Sequence, residues 1–166
     1  MAQQLADRRD VDFNLYEMFD VEAMCKLAPY EDLNKKILNL IVTEARSFAI
    51  KELLPIMAEG DRQGVRLENG GVKAPDCFRE PFKKCIDNEW MSLTEDPQLG
   101  GQGLPHLVAQ AVADFQLGAN YAFTLFGWGG YGAGEMIEIF GTEEQKALFL
   151  EKMYTGQWAG TMVLTE

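Results

Sequence analysis

The stretch from His106 to Phe140 limits the possible folds more than any other part of the chain, because Asp114 is its only charge before Glu135. An apolar run of that length belongs either in a bilayer or at the centre of a helical core. Gly118 and Asn120 interrupt it, and neither half offers the unbroken ~20 apolar residues of a membrane span. The run therefore predicts two buried helices joined near residues 118–120. Five glycines fall between Gly127 and Gly134, and in a helix each costs roughly 0.5–1 kcal/mol relative to alanine. Two compensations are open: close helix packing, or a wall leaving room for an elongated apolar ligand, with Trp128 and Tyr131 as its large surfaces.

Around that centre the remaining segments read as shorter helices and one hairpin. Residues 9–25 carry Phe13, Leu15, Tyr16 and Phe19 at helical spacing, which fits either a lead-in helix folded onto the core or a subunit-contact arm. Leu33, Ile37, Leu40, Ile41, Ala45, Phe48 and Ala49 predict a helix over residues 31–59, kinked or ended by Pro55. Its charges, Lys35, Lys36, Glu44, Arg46, Lys51 and Glu52, form a solvated face. In residues 61–75, Asn69-Gly70 between Leu67 and Val72 predicts a tight hairpin, since both turn positions need positive φ. Phe78, Phe82, Ile86 and Trp90 return to helical spacing, with Pro81 tolerable near the start and Cys77 and Cys85 as small packing residues. Residues 90–105 form one long loop.

Thr142 followed by Gln145 predicts a capping box, and Glu143 and Glu144 sit at the positive end of the new helix. Leu148, Phe149 and Met153 give it a narrow apolar face, and Gly156 ends it. The run from Trp158 to Leu164 then predicts a strand, with no partner strand within the chain and therefore an edge prone to association.

Several function classes are excluded. A net charge of -11 opposes an electrostatic grip on nucleic acid or anionic lipid. The glycines at 100, 101 and 103 do not stand at dinucleotide-fingerprint offsets after a strand, and no Gly-Lys-Ser/Thr follows Asn69-Gly70. His106 is the only histidine and no G-x-S-x-G accompanies it, so it reads as a surface residue at a helix start. Metal-ligand spacing is absent, hence no metal site is predicted. Three cysteines without CxxC spacing, behind a polar start without an apolar leader, predict a reducing, cytoplasmic setting.

Three groups of residues carry a resemblance. Gly141-Thr142-Glu143-Glu144-Gln145-Lys146, then Thr155-Gly156, then Leu164-Thr165-Glu166 resemble the acyl-CoA dehydrogenase family at the end of its N-terminal helical domain. Residues 44–55 with Asp61 are similar to the family's opening helix, and Gly100-Gly101-Gln102-Gly103-Leu104 to its interhelical turn, although Pro97-Gln98-Leu99 departs from the usual acidic and aromatic pair. Residues 12–19 resemble an extension found in a longer bacterial subgroup. The implied fold class is all-α, an orthogonal helical bundle with a short hairpin and the first strand of a missing β-domain at the C-terminus. Residues 1–30 would be an N-terminal helical extension, 31–157 the helical domain, and 158–166 the start of the central β-domain.

The resemblance further implies FAD-dependent α,β-dehydrogenation of an acyl-CoA thioester. A proton leaves the α carbon, a hydride leaves the β carbon for flavin N5, and electrons pass to an electron-transfer flavoprotein. It places the carboxylate base in the C-terminal domain, so no catalytic residue is expected in this chain, which alone would be inactive and bind flavin weakly. Met162, Val163, Leu164, Thr165 and Glu166 would border the FAD, with the Thr165 hydroxyl as a donor. Trp128, Gly129 and Gly132 would line the acyl pocket. The complete protein would be a homo-oligomer. Periodicity alone supports a second reading equally well, a non-catalytic all-α interaction or assembly module.

Overall fold

The computed structural model describes residues 5–161, except for the side chain of Trp128. Among the described residues the chain is all-α apart from one antiparallel hairpin. Its helices are α1 (Arg8–Asp12), α2 (Val21–Met24), α3 (Lys35–Phe48), α4 (Met57–Gln63), α5 (Arg79–Asp87), α6 (His106–Phe140) and α7 (Glu143–Tyr154). The hairpin strands are β1 (Arg66–Glu68) and β2 (Gly71–Lys73). No helix among the described residues is long and apolar enough to cross a membrane.

Helix α6 is the axis of the core. Its first half buries Val108, Val112, Phe115 and Ala119 in one cluster with Leu38, Val42, Ala45 and Ala49 of α3 and the turn that follows. Most of the predicted stripe is the observed one, with Ala45 and Ala49 buried and Leu33, Ile41 and Phe48 packed against the same cluster, but Leu38 and Val42 take the places expected of Ile37 and Leu40. Leu40 is 61% exposed and Ile37 lies at the margin, because spacings of four, three and four from Leu38 to Ala49 match the helical repeat better. Pro55 acts ahead of its own position. Lacking an N–H and crowding the preceding carbonyl, it leaves the chain widened to a π turn over Ala49–Leu53 and tightened to a 3-10 turn over Leu54–Ile56.

The break predicted in the long apolar run falls at Asn120, whose backbone leaves the helical region at φ -161°, ψ 88°. The residue is buried and fully engaged. Its Nδ2 donates to the Leu53 carbonyl at 3.3 Å, and its Oδ1 accepts the Phe123 N–H at 3.1 Å, as an N-cap would for the second half of α6. The Thr124 hydroxyl donates to the Asn120 carbonyl at 2.9 Å. Three polar contacts therefore hold the kink within the apolar centre.

The N-terminal segment packs on the core. Val11, Leu15 and Val21 are buried, the Arg8 guanidinium donates to Asn39 and Thr43 of α3, and Tyr16 donates to Asn39 at 3.0 Å. The predicted apolar face is corrected here. Phe13 and Phe19 are exposed, because a π turn over Phe13–Met18 and a left-handed Asp20 (φ 43°) rotate the face toward Leu15 and Val21.

The hairpin has the predicted turn, with Asn69 and Gly70 at φ 52° and 76°, and it pairs Leu67 with Val72. The capping box of α7 is complete: Thr142 Oγ1 accepts the Gln145 N–H at 3.3 Å, and Gln145 Oε1 accepts the Thr142 N–H at 2.8 Å. Its buried face is Leu150, Met153 and Tyr154 rather than Leu148 and Phe149, since the contact is with glycines of α6. Gly156 follows at φ 75°, as predicted. Residues 158–161 are not a strand in their described part; 162–164 lie outside the described residues.

Cys85 lies in the core at 4% exposure, and burial pushes its thiol up to about 12. Because the fold accommodates only the neutral thiol, its contribution is complete below the ordinary value of 9.0 and is lost as pH rises from there toward 12. Cys85→Ala is therefore expected to flatten the alkaline fall in urea midpoint between these limits. An identical fall in both proteins would remove Cys85 as its source.

Candidate functional site

The glycines in the second half of α6 have three kinds of surroundings. Gly127 and Gly134 allow side chains to approach: a Cβ at Gly127 would stand 2.6 Å from Met91 Cε, and one at Gly134 2.6 Å from the Tyr154 ring. Gly129 and Gly130 instead allow backbone to approach. A Cβ on Gly129 would fall inside the carbonyl oxygen of Gly160, and one on Gly130 would stand 3.2 Å from the Trp158 carbonyl oxygen. Close packing thus explains four of the glycines. Gly132 is different, with nothing within 4 Å of its Cβ position.

That crossing lays residues 158–161 along α6. Trp158 is held by its N–H donating to the Lys152 carbonyl at 2.9 Å, by an edge contact with Phe149 at 5.8 Å, and by Lys152 Nζ 4.3 Å above its ring. The residues touching at the crossing are Gly129, Ala133 and Gly160, and Thr161 N lies 3.8 Å from the Gly129 Cβ position. The segments expected to border a flavin, Met162 to Glu166, lie outside the described residues. What leads to them is a cradle that a Cβ would fill, which fits an approach made by backbone rather than by side chains.

Among the clefts along α6, two bear on the site. The first, about 280 Å³, lies between the loop at Trp90–Thr94 and the face carrying His106, Gln110 and Gln116, with Tyr131 closing one side. Gln116 is buried, and its Nε2 has no hydrogen-bond partner among the described residues. Burial raises the Tyr131 hydroxyl above its ordinary value. His106 is exposed at the first position of α6, as the sequence suggested.

The second cleft, about 460 Å³, has an aromatic floor built from two helices and the connection before α5. Phe78 meets Phe123 at 5.3 Å and Phe126 at 5.8 Å, both nearly perpendicular, and Phe82 meets Phe123 at 6.2 Å. Lys73, Ala74 and Pro75 bring the end of the hairpin to its edge, Arg79 stands on the rim, and Ala159 closes the side nearest the glycine crossing. Asp76 on the same rim is paired with Arg66 at 2.8 Å, which holds its carboxyl below the usual range.

Of the residues expected to line an acyl pocket, Gly129 is covered by Gly160, Gly132 is open, and neither lines a cleft described above; the Trp128 side chain is not described. The phenylalanine floor was not expected. Its signal was two helical pairs, Phe78 with Phe82 and Phe123 with Phe126, but only the fold brings those pairs together.

Comparison with known proteins gives one family. Residues 38–157 match the family model described as acyl-CoA dehydrogenase, N-terminal domain. Among curated relatives, the chain is 32% identical over 158 residues to a 3-methylmercaptopropionyl-CoA dehydrogenase of Ruegeria pomeroyi, covering 95% of this chain and 27% of that protein. It is 29% identical to a broad-specificity linear acyl-CoA dehydrogenase of Mycobacterium tuberculosis, covering 100% of this chain and 27% of that protein. It is 26% identical to a butyryl-CoA dehydrogenase of Syntrophomonas wolfei, covering 98% and 27%. The chain therefore spans 27% of the length of these relatives.

Proposed function

Since the chain belongs to the acyl-CoA dehydrogenase family, of which it spans the N-terminal helical domain, we propose that the complete protein is a flavin-dependent acyl-CoA dehydrogenase and that this domain supplies one wall of its site. The observation that carries the reading is the family match over residues 38–157, supported by relatives that each bear the name of an acyl-CoA dehydrogenase. FAD, when bound, supplies the hydride acceptor. This chain's share is to exclude water and hold the thioester against that acceptor. Met162 to Glu166 would border the ring, and the crossing of Gly129 and Gly160 holds residues 158–161, which precede them in sequence, against α6. An electron-transfer flavoprotein would take the electrons, and the complete protein would be a homo-oligomer. Cys25, Cys77 and Cys85 are free, which agrees with a cytoplasmic setting.

The test uses the complete protein. It is expected to purify with bound flavin, and the flavin absorbance is expected to bleach anaerobically with at least one saturated acyl-CoA between butyryl and palmitoyl. A flavin that none of them bleaches would reject the reading. The 166-residue chain alone is expected to give no acyl-CoA-dependent dye reduction, because the proton-abstracting carboxylate would lie in the remainder of the protein; measurable turnover by this chain would overturn that division of labour.

A further inference from the structure

We propose, independently of the dehydrogenase reading, that α3 carries a phosphate site at its junction with α1, in which Arg46, Ser47 and Lys51 hold a phosphate monoester dianion. The place is a cleft of about 460 Å³ lined by Arg8, Thr43, Arg46, Ser47, Ile50 and Lys51. Helical spacing along α3 and the π turn after it assembles the wall. Thr43, Ser47 and Lys51 stand four residues apart, with Arg46 and Ile50 four apart beside them, on a different face from the buried stripe of Leu38, Val42, Ala45 and Ala49.

Charge singles this cleft out. The chain carries a net charge of -11, yet all three charged residues lining the cleft are cations. Such a patch attracts locally an anion that the molecule as a whole repels. Arg8 is already engaged, with Asp12 at 2.8 Å, Asn39 at 3.0 Å and Thr43 at 2.7 Å, so it forms a fixed wall rather than a free cation. Arg46 and Lys51 enter no ion pair among the described residues, and Glu52, next to Lys51 in sequence, is taken by Lys84 at 2.6 Å. The Arg46 Nε is shielded from water and has no hydrogen-bond partner among the described residues. Its guanidinium has thus lost hydration that no protein acceptor replaces. Two cations are left uncompensated, and a phosphate monoester near neutral pH carries close to two negative charges.

Donor number favours phosphate over carboxylate. A guanidinium takes two oxygens of an anion in one plane, which uses up a carboxylate, whereas a phosphate keeps a third oxygen for the Lys51 ammonium or the Ser47 hydroxyl. The cleft has room for more than the anion itself, and Ile50 with the aliphatic stems of Arg46 and Lys51 offers apolar surface to an organic body. A soluble phosphorylated molecule fits better than a phospholipid headgroup, because a net charge of -11 opposes approach to an anionic bilayer.

Equilibrium dialysis of the complete protein against inorganic phosphate and against glycerol 3-phosphate, in about 0.15 M KCl to screen long-range attraction, tests the site. Both probes are expected to bind, glycerol 3-phosphate the more tightly. Arg46→Gln and Lys51→Gln are each expected to weaken both about tenfold, through loss of a charge-assisted hydrogen bond, and Arg46→Lys to restore part of the affinity. Lys51 is exposed, so its variant probes the site without disturbing the core. Arg62→Gln removes the same charge outside the cleft, where Arg62 is paired with Glu59, and is expected to leave binding unchanged. A parent protein that binds neither probe, or binding that Arg46→Gln and Lys51→Gln leave intact, would overturn the site. Equal weakening by Arg62→Gln would reduce it to overall charge and overturn it too. Binding to vesicles containing phosphatidic acid, with none to the soluble probes, would overturn the choice of a soluble ligand. Each of these failures leaves the flavin-bleaching test of the dehydrogenase reading untouched.

Discussion

Asn120→Ala is expected to destabilise the domain by about 2–4 kcal/mol, the largest loss for any single polar side chain in the apolar centre. Two bonds disappear together: the donation to the Leu53 carbonyl and the acceptance from the Phe123 N–H. The Phe123 N–H is then buried without its cap, which costs about 1–3 kcal/mol, and loss of the bond to the Leu53 carbonyl adds about 1 kcal/mol. Alanine also favours helical φ/ψ, so the substitution pulls α6 toward a straight rod at the one place where the core requires a bend. For a domain of this size the loss corresponds to a fall in Tm of roughly 5–15 °C. Chemical and thermal denaturation would check it; a loss below about 0.5 kcal/mol would show that backbone packing alone holds the kink.

Gly129→Ala carries the second large effect and has an internal control. In an open helix the change would stabilise by about 0.5–1 kcal/mol. At Gly129 the new methyl enters the carbonyl oxygen of Gly160, backbone against backbone, with no flexible side chain to yield. Overpacking of that kind costs about 1–3 kcal/mol, so the net sign is destabilising. The strain would be relieved by lifting residues 158–161 off α6, and the Trp158 amide, now bonded to the Lys152 carbonyl, should lose its hydrogen-exchange protection. Gly132→Ala, three residues away in open space, should stabilise and leave that amide protected. Equal behaviour of the two variants would mean that the crossing does not hold the segment.

The hairpin, the capping box and the break in α6 were legible in the sequence because each is decided within a few residues. Asn69-Gly70 needs only its own φ values, Thr142 and Gln145 satisfy one another, and Asn120 caps a helix three residues on. The N-terminal face, with Ile37 and Leu40 of α3, was misjudged for the opposite reason. Phe13, Phe19 and Leu40 are apolar and correctly spaced, but the π turn at Phe13–Met18 adds a residue to a turn, and on α3 packing buries Leu38 and Val42 in place of Ile37 and Leu40. The glycines of α6 were recognised as needing compensation, yet their partners, Met91, Tyr154, Trp158 and Gly160, come from elsewhere in the chain. The phenylalanine floor joins residues of α6 to residues ahead of α5 and within it, a contact that no local pattern encodes.

The glycine crossing also bears on how such a protein is made. Gly129 and Gly160 are joined through nothing but the end of α6, the capped turn and α7, all of which fold by local contacts. Closing so short and helical a loop requires little entropy and no residue that lies further along. Once Gly160 has cleared the ribosomal tunnel, the helical layer can lock shut around its last segment.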